Sequence, residues 1–153
     1  MKLGDVLKKE REKKGLSVDH VASELGLSVD EYNQIEGGES PAEQWGPVLA
    51  QIAIKLETPT SRLLAETGRS ADTKDGQAGG LIKGHRENRQ LEASDVAEYA
   101  GISAEEYGQV EAGTSPIEKY GPLLLHFAEL IEQPVFNLFY PCGLPFQELD
   151  DYP

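Results

Sequence analysis

An ungapped repeat with an offset of 75 residues constrains the fold of this chain more than any other feature of its sequence. Residues 3–64 align with 78–139 without an insertion, and 24 of the 62 aligned positions are identical. Such identity indicates a duplicated structural unit. The sequence therefore predicts two small domains, at 1–65 and 80–140. The polar, Gly-containing segment 66–79 is predicted to be a flexible linker, and residues 141–153 an apolar C-terminal tail.

Each repeat has the apolar spacing of short amphipathic helices. The residues predicted to face the core of the first three helices are Leu3, Val6, Leu7, Val21, Ala22, Leu25, Tyr32 and Ile35. Gly26 and Gly101 interrupt the pattern, as glycine does in tight turns between helices. Ser28 and Glu31 have the spacing of a capping box that starts the third helix.

A longer fourth helix is predicted after Ser40-Pro41, which combines a cap residue with a proline suited to the first helical position. Pro47 and its counterpart Pro122 have no N–H to donate, so we expect a kink or an offset there. Pro59 and Pro134 are expected to end the fourth helices and to precede a short fifth one.

The segments REKKGLSVDHVASELGLSVDEYNQIEGGESP and RENRQLEASDVAEYAGISAEEYGQVEAGTSP resemble the helix-turn-helix domains of the phage-repressor and Cro family (xenobiotic-response-element type). The resemblance covers nearly all of each repeat. It implies an all-α fold of two tandem five-helix lambda-repressor-like domains plus an extended tail. It also implies a DNA-binding transcriptional regulator whose two units read two half-sites.

The family's scaffold ion pair between the first and third helices corresponds here to Arg11 with Glu36 and to Arg86 with Glu111. A guanidinium and a carboxylate fit each other with two parallel hydrogen bonds. The alternative role for Arg11 is a contact to a DNA phosphate, and the internal pair is favoured over it.

The resemblance also implies which residues would face DNA, because the third helix of this family enters the major groove. The candidates are Ser17, Ser28, Val29, Asp30, Asn33 and Gln34 in the first repeat, and Ala104, Glu105 and Gln109 in the second. Gln34 and Gln109 can pair with adenine. Ser17 could leave backbone N–H groups facing a phosphate, whereas its counterpart Glu92 could not.

The charge of the chain opposes DNA binding. The net charge is −13, with 8 Lys and Arg against 12 Asp and Glu in residues 1–66 and 4 against 13 in residues 80–153. The loops after the third helices, GGES and AGTS, carry no positive charge. We therefore expect DNA binding to be weak and sensitive to salt. The alternative function is an acidic protein-interaction or self-association module that has lost DNA binding.

Other functional classes find little support in the sequence. No phosphate loop, nucleophile elbow or histidine–cysteine ligand spacing is present, so we expect no enzyme activity, no cofactor and no metal. The single cysteine, Cys142, excludes an intrachain disulfide and favours a cytoplasmic location. No apolar run reaches membrane-spanning length. The aromatic tail is expected to pack on the second repeat or on a protein partner, including a second copy of the chain.

Overall fold

The computed structural model describes residues 2–64, Thr67 and 74–142, and within them the chain is helical and contains no β-strand. This confirms the all-α prediction. The helices of the first repeat are α1 (Leu3–Lys13), α2 (Val18–Leu25), α3 (Val29–Glu36), α4 (Ala42–Lys55) and α5 (Thr60–Leu63). Those of the second are α6 (Gln77–Asn88), α7 (Ala93–Ala100), α8 (Ala104–Ala112), α9 (Ile117–Leu130) and α10 (Phe136–Phe139), followed by a 3₁₀ turn at Tyr140–Cys142.

The apolar faces predicted for the first three helices are buried, and each of their eight named residues is 3% exposed or less. The corresponding residues of the second repeat also belong to the core, including Val96, Tyr107 and Val110. The helical period therefore identified the buried side of each helix. None of the described helices combines the length and the apolar character that a bilayer crossing requires.

The long helices differ from the prediction at their internal prolines. Helix α4 continues through Pro47, and α9 continues through Pro122, so neither helix is interrupted there. The expected offset was therefore wrong, although each proline removes one backbone hydrogen bond from its helix. The alternative expectation, a kink, stays a prediction. Gly46 and Gly121, one residue earlier, are buried instead of breaking the helix.

Helix α1 lies with its backbone directly against the end of α3. A β-carbon at Gly4 would stand 2.5 Å from the carbonyl oxygens of both Ile35 and Glu36. At the matching position of the second repeat, a β-carbon at Gly79 would overlap the carbonyl oxygen of Val110. Glycine is required at these two positions because the neighbouring atoms belong to backbone and cannot rotate away.

The two repeats exchange their C-terminal helices. Helix α4 begins beside α1, crosses α9 and ends beside α7 of the other repeat. Helix α9 begins beside α6 and packs on α2, and α10 contacts α1 and α4. We call α4 with α5 the first arm and α9 with α10 the second arm, while α1–α3 and α6–α8 form the first and second bodies.

All four parts contribute to one hydrophobic core. The predicted division of the chain into two domains, with boundaries at residues 65 and 80, stays a prediction. Half of the predicted linker, residues 66 and 68–73, and all but two residues of the predicted tail lie outside the described residues. The linker prediction was wrong for its last three residues, because α6 begins at Gln77. The expected packing of that tail is therefore untested.

Candidate nucleic-acid interface

The segment from α2 to α3 is fixed by three local devices. The Ser17 hydroxyl accepts a hydrogen bond from the backbone N–H of His20 at 3.0 Å and so caps α2. Gly26 ends α2 in the left-handed conformation, with φ at 72°. Ser28 and Glu31 then form a capping box, since the Ser28 hydroxyl accepts from the Glu31 N–H at 3.1 Å and Glu31 accepts from the Ser28 N–H at 3.2 Å. The direction of α3 therefore follows from local sequence.

The second repeat builds the same turn with one device missing. Gly101 is left-handed, with φ at 74°, and Ser103 and Glu106 form a capping box with both hydrogen bonds at 3.0 Å. Glu92 stands at the start of α7 and makes no side-chain cap. The carboxylate there would repel a phosphate, so the helix end of the first repeat is the better anion anchor.

Helices α3 and α8 each present one polar face to solvent. Tyr32 and Ile35 point from α3 into the core, and Tyr107 and Val110 do so from α8. The sequence-predicted candidates on these helices are all exposed: Val29, Asp30, Asn33 and Gln34 on α3, and Ala104, Glu105 and Gln109 on α8. Ser17 and Ser28 are exposed as well. The structure thus brings the predicted reading residues onto one accessible helix face in each repeat.

Arg11 joins three segments of the first body. Its Nε donates to Glu36 Oε2 at 2.7 Å, and a second guanidinium N–H donates to Glu36 Oε1 at 3.2 Å. A third N–H donates to the carbonyl of Leu16 at 2.9 Å. The side chains of Arg11 and Glu36 are 11% and 9% exposed. Arg11 therefore ties α1 to α3 and to the α1–α2 loop and is not available for a phosphate.

Arg86 makes the matching contacts in the second body. It donates to both carboxylate oxygens of Glu111, at 2.6 and 3.0 Å, and to the carbonyl of Leu91 at 2.9 Å. Burial, the largest single influence, would raise the pKa of Glu111, but the hydrogen bonds and positive charges around it, those of Arg86 first, together hold that pKa below its ordinary value. The structure thus brings together both ion pairs that the sequence singled out.

A buried tyrosine hydroxyl lies near each ion pair. The hydroxyls of Tyr32 and Tyr107 are buried, and among the described residues neither makes a hydrogen bond of good geometry. Burial raises the pKa of both phenols far above the ordinary value, because a tyrosinate would have to form away from water.

We expect Tyr32 and Tyr107 to lose their protons only when the chain unfolds. Tyr32 and Tyr107 are protonated in the fold, whereas the unfolded chain loses these protons near pH 10. Their contribution to stability is therefore complete below pH 10 and is lost as the pH rises above it. Tyrosinate absorbance and helical circular dichroism should change together for these two residues. Tyr32→Phe should remove one of the protons lost on unfolding; reversible titration of Tyr32 and Tyr107 in the folded chain would contradict the expectation.

Positive charge is scarce around α3. Glu31, in its first turn, pairs with Lys119 of the second repeat at 3.1 Å. The hydrogen bond from the Ser28 backbone, and then Lys119, lower the pKa of Glu31. Lys14, after α1, pairs with Glu132 at 3.3 Å. Two of the cations that could meet phosphates are thus engaged with acids across the repeats.

One pair of residues escaped the sequence analysis. Both carboxylate oxygens of Glu43 accept backbone N–H groups at the start of α1, from Leu3 at 2.9 Å and from Gly4 at 3.0 Å. Glu118 caps the start of α6 in the same way. The presence of glutamate at equivalent positions of the two repeats was the available signal, but the sequence does not show which helix each carboxylate reaches.

No group of three or more histidine, cysteine or acidic side chains is placed to hold a metal in the described part of the chain. Cys142 is half-buried, and burial raises the pKa of its thiol. The thiol donates to the carbonyl of Leu138 at 3.4 Å. An unreactive thiol is consistent with this environment.

The chain matches no protein-family model, no curated protein and no solved structure. Its likeness to the phage repressors therefore rests on the residues quoted from the two repeats. A function has to be argued from the exposed helix faces and the charge around them.

Proposed function

We propose that the chain is a DNA-binding transcriptional regulator with two repressor-like helix-turn-helix units. The proposal includes the family assignment and the role of α3 and α8 as reading helices. The observation that carries it is the exposed face of these two helices, each of which holds a glutamine at the same register. The turn before α3 and before α8, with its left-handed glycine and its capping box, fits the proposal. A helix-turn-helix motif needs its second helix, here α3 or α8, held at a fixed angle to the first.

The residue types on α3 suit base contacts. Gln34 can pair with adenine through its amide, and Val29, which is 40% exposed, can touch a thymine methyl group. The N–H groups at the start of α2 are oriented to receive a phosphate beside the Ser17 cap. Repeat 1 is therefore the stronger reader in this proposal, and α8 offers only Ala104, Glu105 and Gln109.

The charge around the reading helices limits affinity. Non-specific binding comes from neutralised phosphates, and α3 and α8 contain no lysine or arginine. The exposed lysines of α1, such as Lys8 and Lys9, are the nearest sequence candidates for phosphate contacts. Binding should therefore appear at low salt and be lost as salt rises.

Selection from a random duplex library at low salt, followed by fluorescence anisotropy on the enriched sequence, tests this function. Gln34→Ala should weaken binding to the enriched sequence about tenfold and leave non-specific binding unchanged, because one bidentate base contact contributes discrimination of that order. Gln44→Ala is the matched control, since Gln44 is also exposed but lies in α4. Failure to enrich any sequence over competitor DNA would refute the proposal.

A second candidate function follows from the acidic character of the same faces. Asp30, Glu31, Glu105 and Glu106 fill the first turns of α3 and α8. They stabilise the helix ends through the dipole, yet they also form an acidic surface suited to a basic protein partner. The chain would then be a helix-turn-helix scaffold that binds protein and not DNA.

Neutralising these acids separates the two functions. Asp30→Asn together with Glu105→Gln should strengthen DNA binding, because repulsion from phosphates is removed. The same double variant should weaken binding to a basic partner, for which poly-lysine is a simple probe. Fluorescence anisotropy with labelled DNA and with labelled poly-lysine measures the two affinities, and the double substitution should change them in opposite directions.

A further inference from the structure

We propose that neither repeat is a complete folding unit. Each arm is a docking surface for the body and the arm of a second repeat of the same kind. The partner in this chain is the other repeat. The proposal does not depend on whether the chain binds DNA.

The crossing of the two arms is reciprocal. A side chain at Gly46 would meet Leu3 of its own repeat and Leu124 and Phe139 of the second repeat. A side chain at Gly121 would meet Leu49 and Leu64 of the first repeat. Leu124 and Phe139 are the exact counterparts of Leu49 and Leu64 at the offset of 75. Each arm thus offers a glycine to receive the other arm's leucine and fifth helix. This is the geometry of a self-complementary two-fold interface.

The ends of the arms are also held by the opposite body. The guanidinium of Arg89, after α6, donates to the Thr58 hydroxyl at 2.7 Å, and Lys55 lies 5.8 Å from the ring centre of Tyr99 on α7. At the other end, Glu132 pairs with Lys14. Each arm therefore contacts the other repeat at its end as well as at the point where the two arms cross.

Separation of the repeats would expose the faces that the arms cover. Ile52 and Leu56 in the first arm and Phe127 and Ile131 in the second are fully buried. The C-terminal half of each long helix packs on the second helix of the other repeat. Without that partner, both the arm and the opposite body would expose apolar surface, which folded single domains avoid.

Cutting the folded full-length chain tests the proposal. A protease site placed between residues 68 and 73 allows cleavage after folding, and native mass spectrometry then reports the mass of the product. We expect the halves to remain a one-to-one pair. Dilution should lower the midpoint of thermal unfolding of the cut pair but not of the uncut chain, since only the cut pair dissociates on unfolding. Halves that separate and stay helical would overturn the proposal.

A double-mutant cycle in the uncut chain provides an independent test. A β-carbon at Gly121 would stand 2.9 Å from Leu64 Cδ1, so Gly121→Ala should be destabilising, and Leu64→Val removes the obstructing methyl group. The effect of Gly121→Ala on the unfolding constant should shrink about tenfold in the Leu64→Val background, the size expected for residues in contact.

Leu63→Val is the control for this cycle, because Leu63 is equally buried and adjacent to Leu64 but is not among the three nearest contacts of that β-carbon. Its effect should add to that of Gly121→Ala. If Leu64→Val and Gly121→Ala were also additive, the arms would not cross as described and the proposal would fail.

Discussion

Replacing Glu36 by glutamine is expected to lower the free energy of unfolding by about 3 kcal/mol, because it leaves a buried guanidinium without its countercharge. Arg11 donates twice to Glu36 and once to the carbonyl of Leu16, and it is only 11% exposed. The glutamine keeps the shape of the side chain but removes the charge, and it replaces one of the two accepting oxygens by an NH2 group that cannot accept from Arg11. Chemical denaturation followed by circular dichroism measures the change.

Glu39→Gln is the matched control, since Glu39 is exposed and lies three residues beyond Glu36. A surface substitution of this kind should change stability by less than about 0.5 kcal/mol. A comparably small loss for Glu36→Gln would mean that the Arg11 guanidinium is solvated as a surface charge. The role of the pair as the link between α1, α3 and the α1–α2 loop would then be wrong.

Features that depend on a few neighbouring residues were predictable from sequence. The capping box at Ser28 and the left-handed turn at Gly26 are set by side chains within four positions, so their chemistry is visible in the sequence. The buried faces of α1 to α3 follow from the helical period in the same way. The pairing of Arg11 with Glu36 spans α1 and α3 and came from the family resemblance.

The exchange of the arms was not predictable from the apolar pattern. The apolar pattern around α4 identifies Ile52 and Leu56 as buried. The body of the same repeat and the body of the other repeat could each cover this apolar face. In a duplicated chain the two choices offer nearly the same surface, so hydrophobic burial alone does not select between them. The packing role of Gly46 and Gly121 was not predicted, because the sequence shows the missing side chain but not the leucine that occupies its place.

The candidate interface was predictable in position but not in its electrostatic surroundings. The position of Gln34 and Gln109 on the exposed side of their helices follows from the helical period and the caps. The engagement of Lys119 with Glu31 joins residues that are 88 positions apart, in different repeats. No local pattern specifies such a pair, although it decides how much positive charge remains beside α3.

Gly79→Ala and Gly80→Ala, neighbouring substitutions in α6, should have opposite effects on stability. A β-carbon at Gly79 would overlap the carbonyl oxygen of Val110 and would stand 3.0 Å from the carbonyl oxygen of Glu111. Because these are backbone atoms, α6 would have to move away from α8, at a cost of about 2 to 3 kcal/mol.

At Gly80 the space around the new methyl group is open: apart from its chain neighbours and the backbone of α6 itself, no atom of the described residues lies within 4 Å. Alanine is there the better helix former and should add about 0.5 to 1 kcal/mol of stability. Thermal and denaturant unfolding of the two variants measure the change in stability that each substitution causes, and hence its sign. Equal effects would show that α6 does not approach α8 through the backbone of Gly79. The opposite signs would instead establish that the repeated glycine at positions 4 and 79 is retained for contact between helices, since helix propensity alone favours alanine at both Gly79 and Gly80.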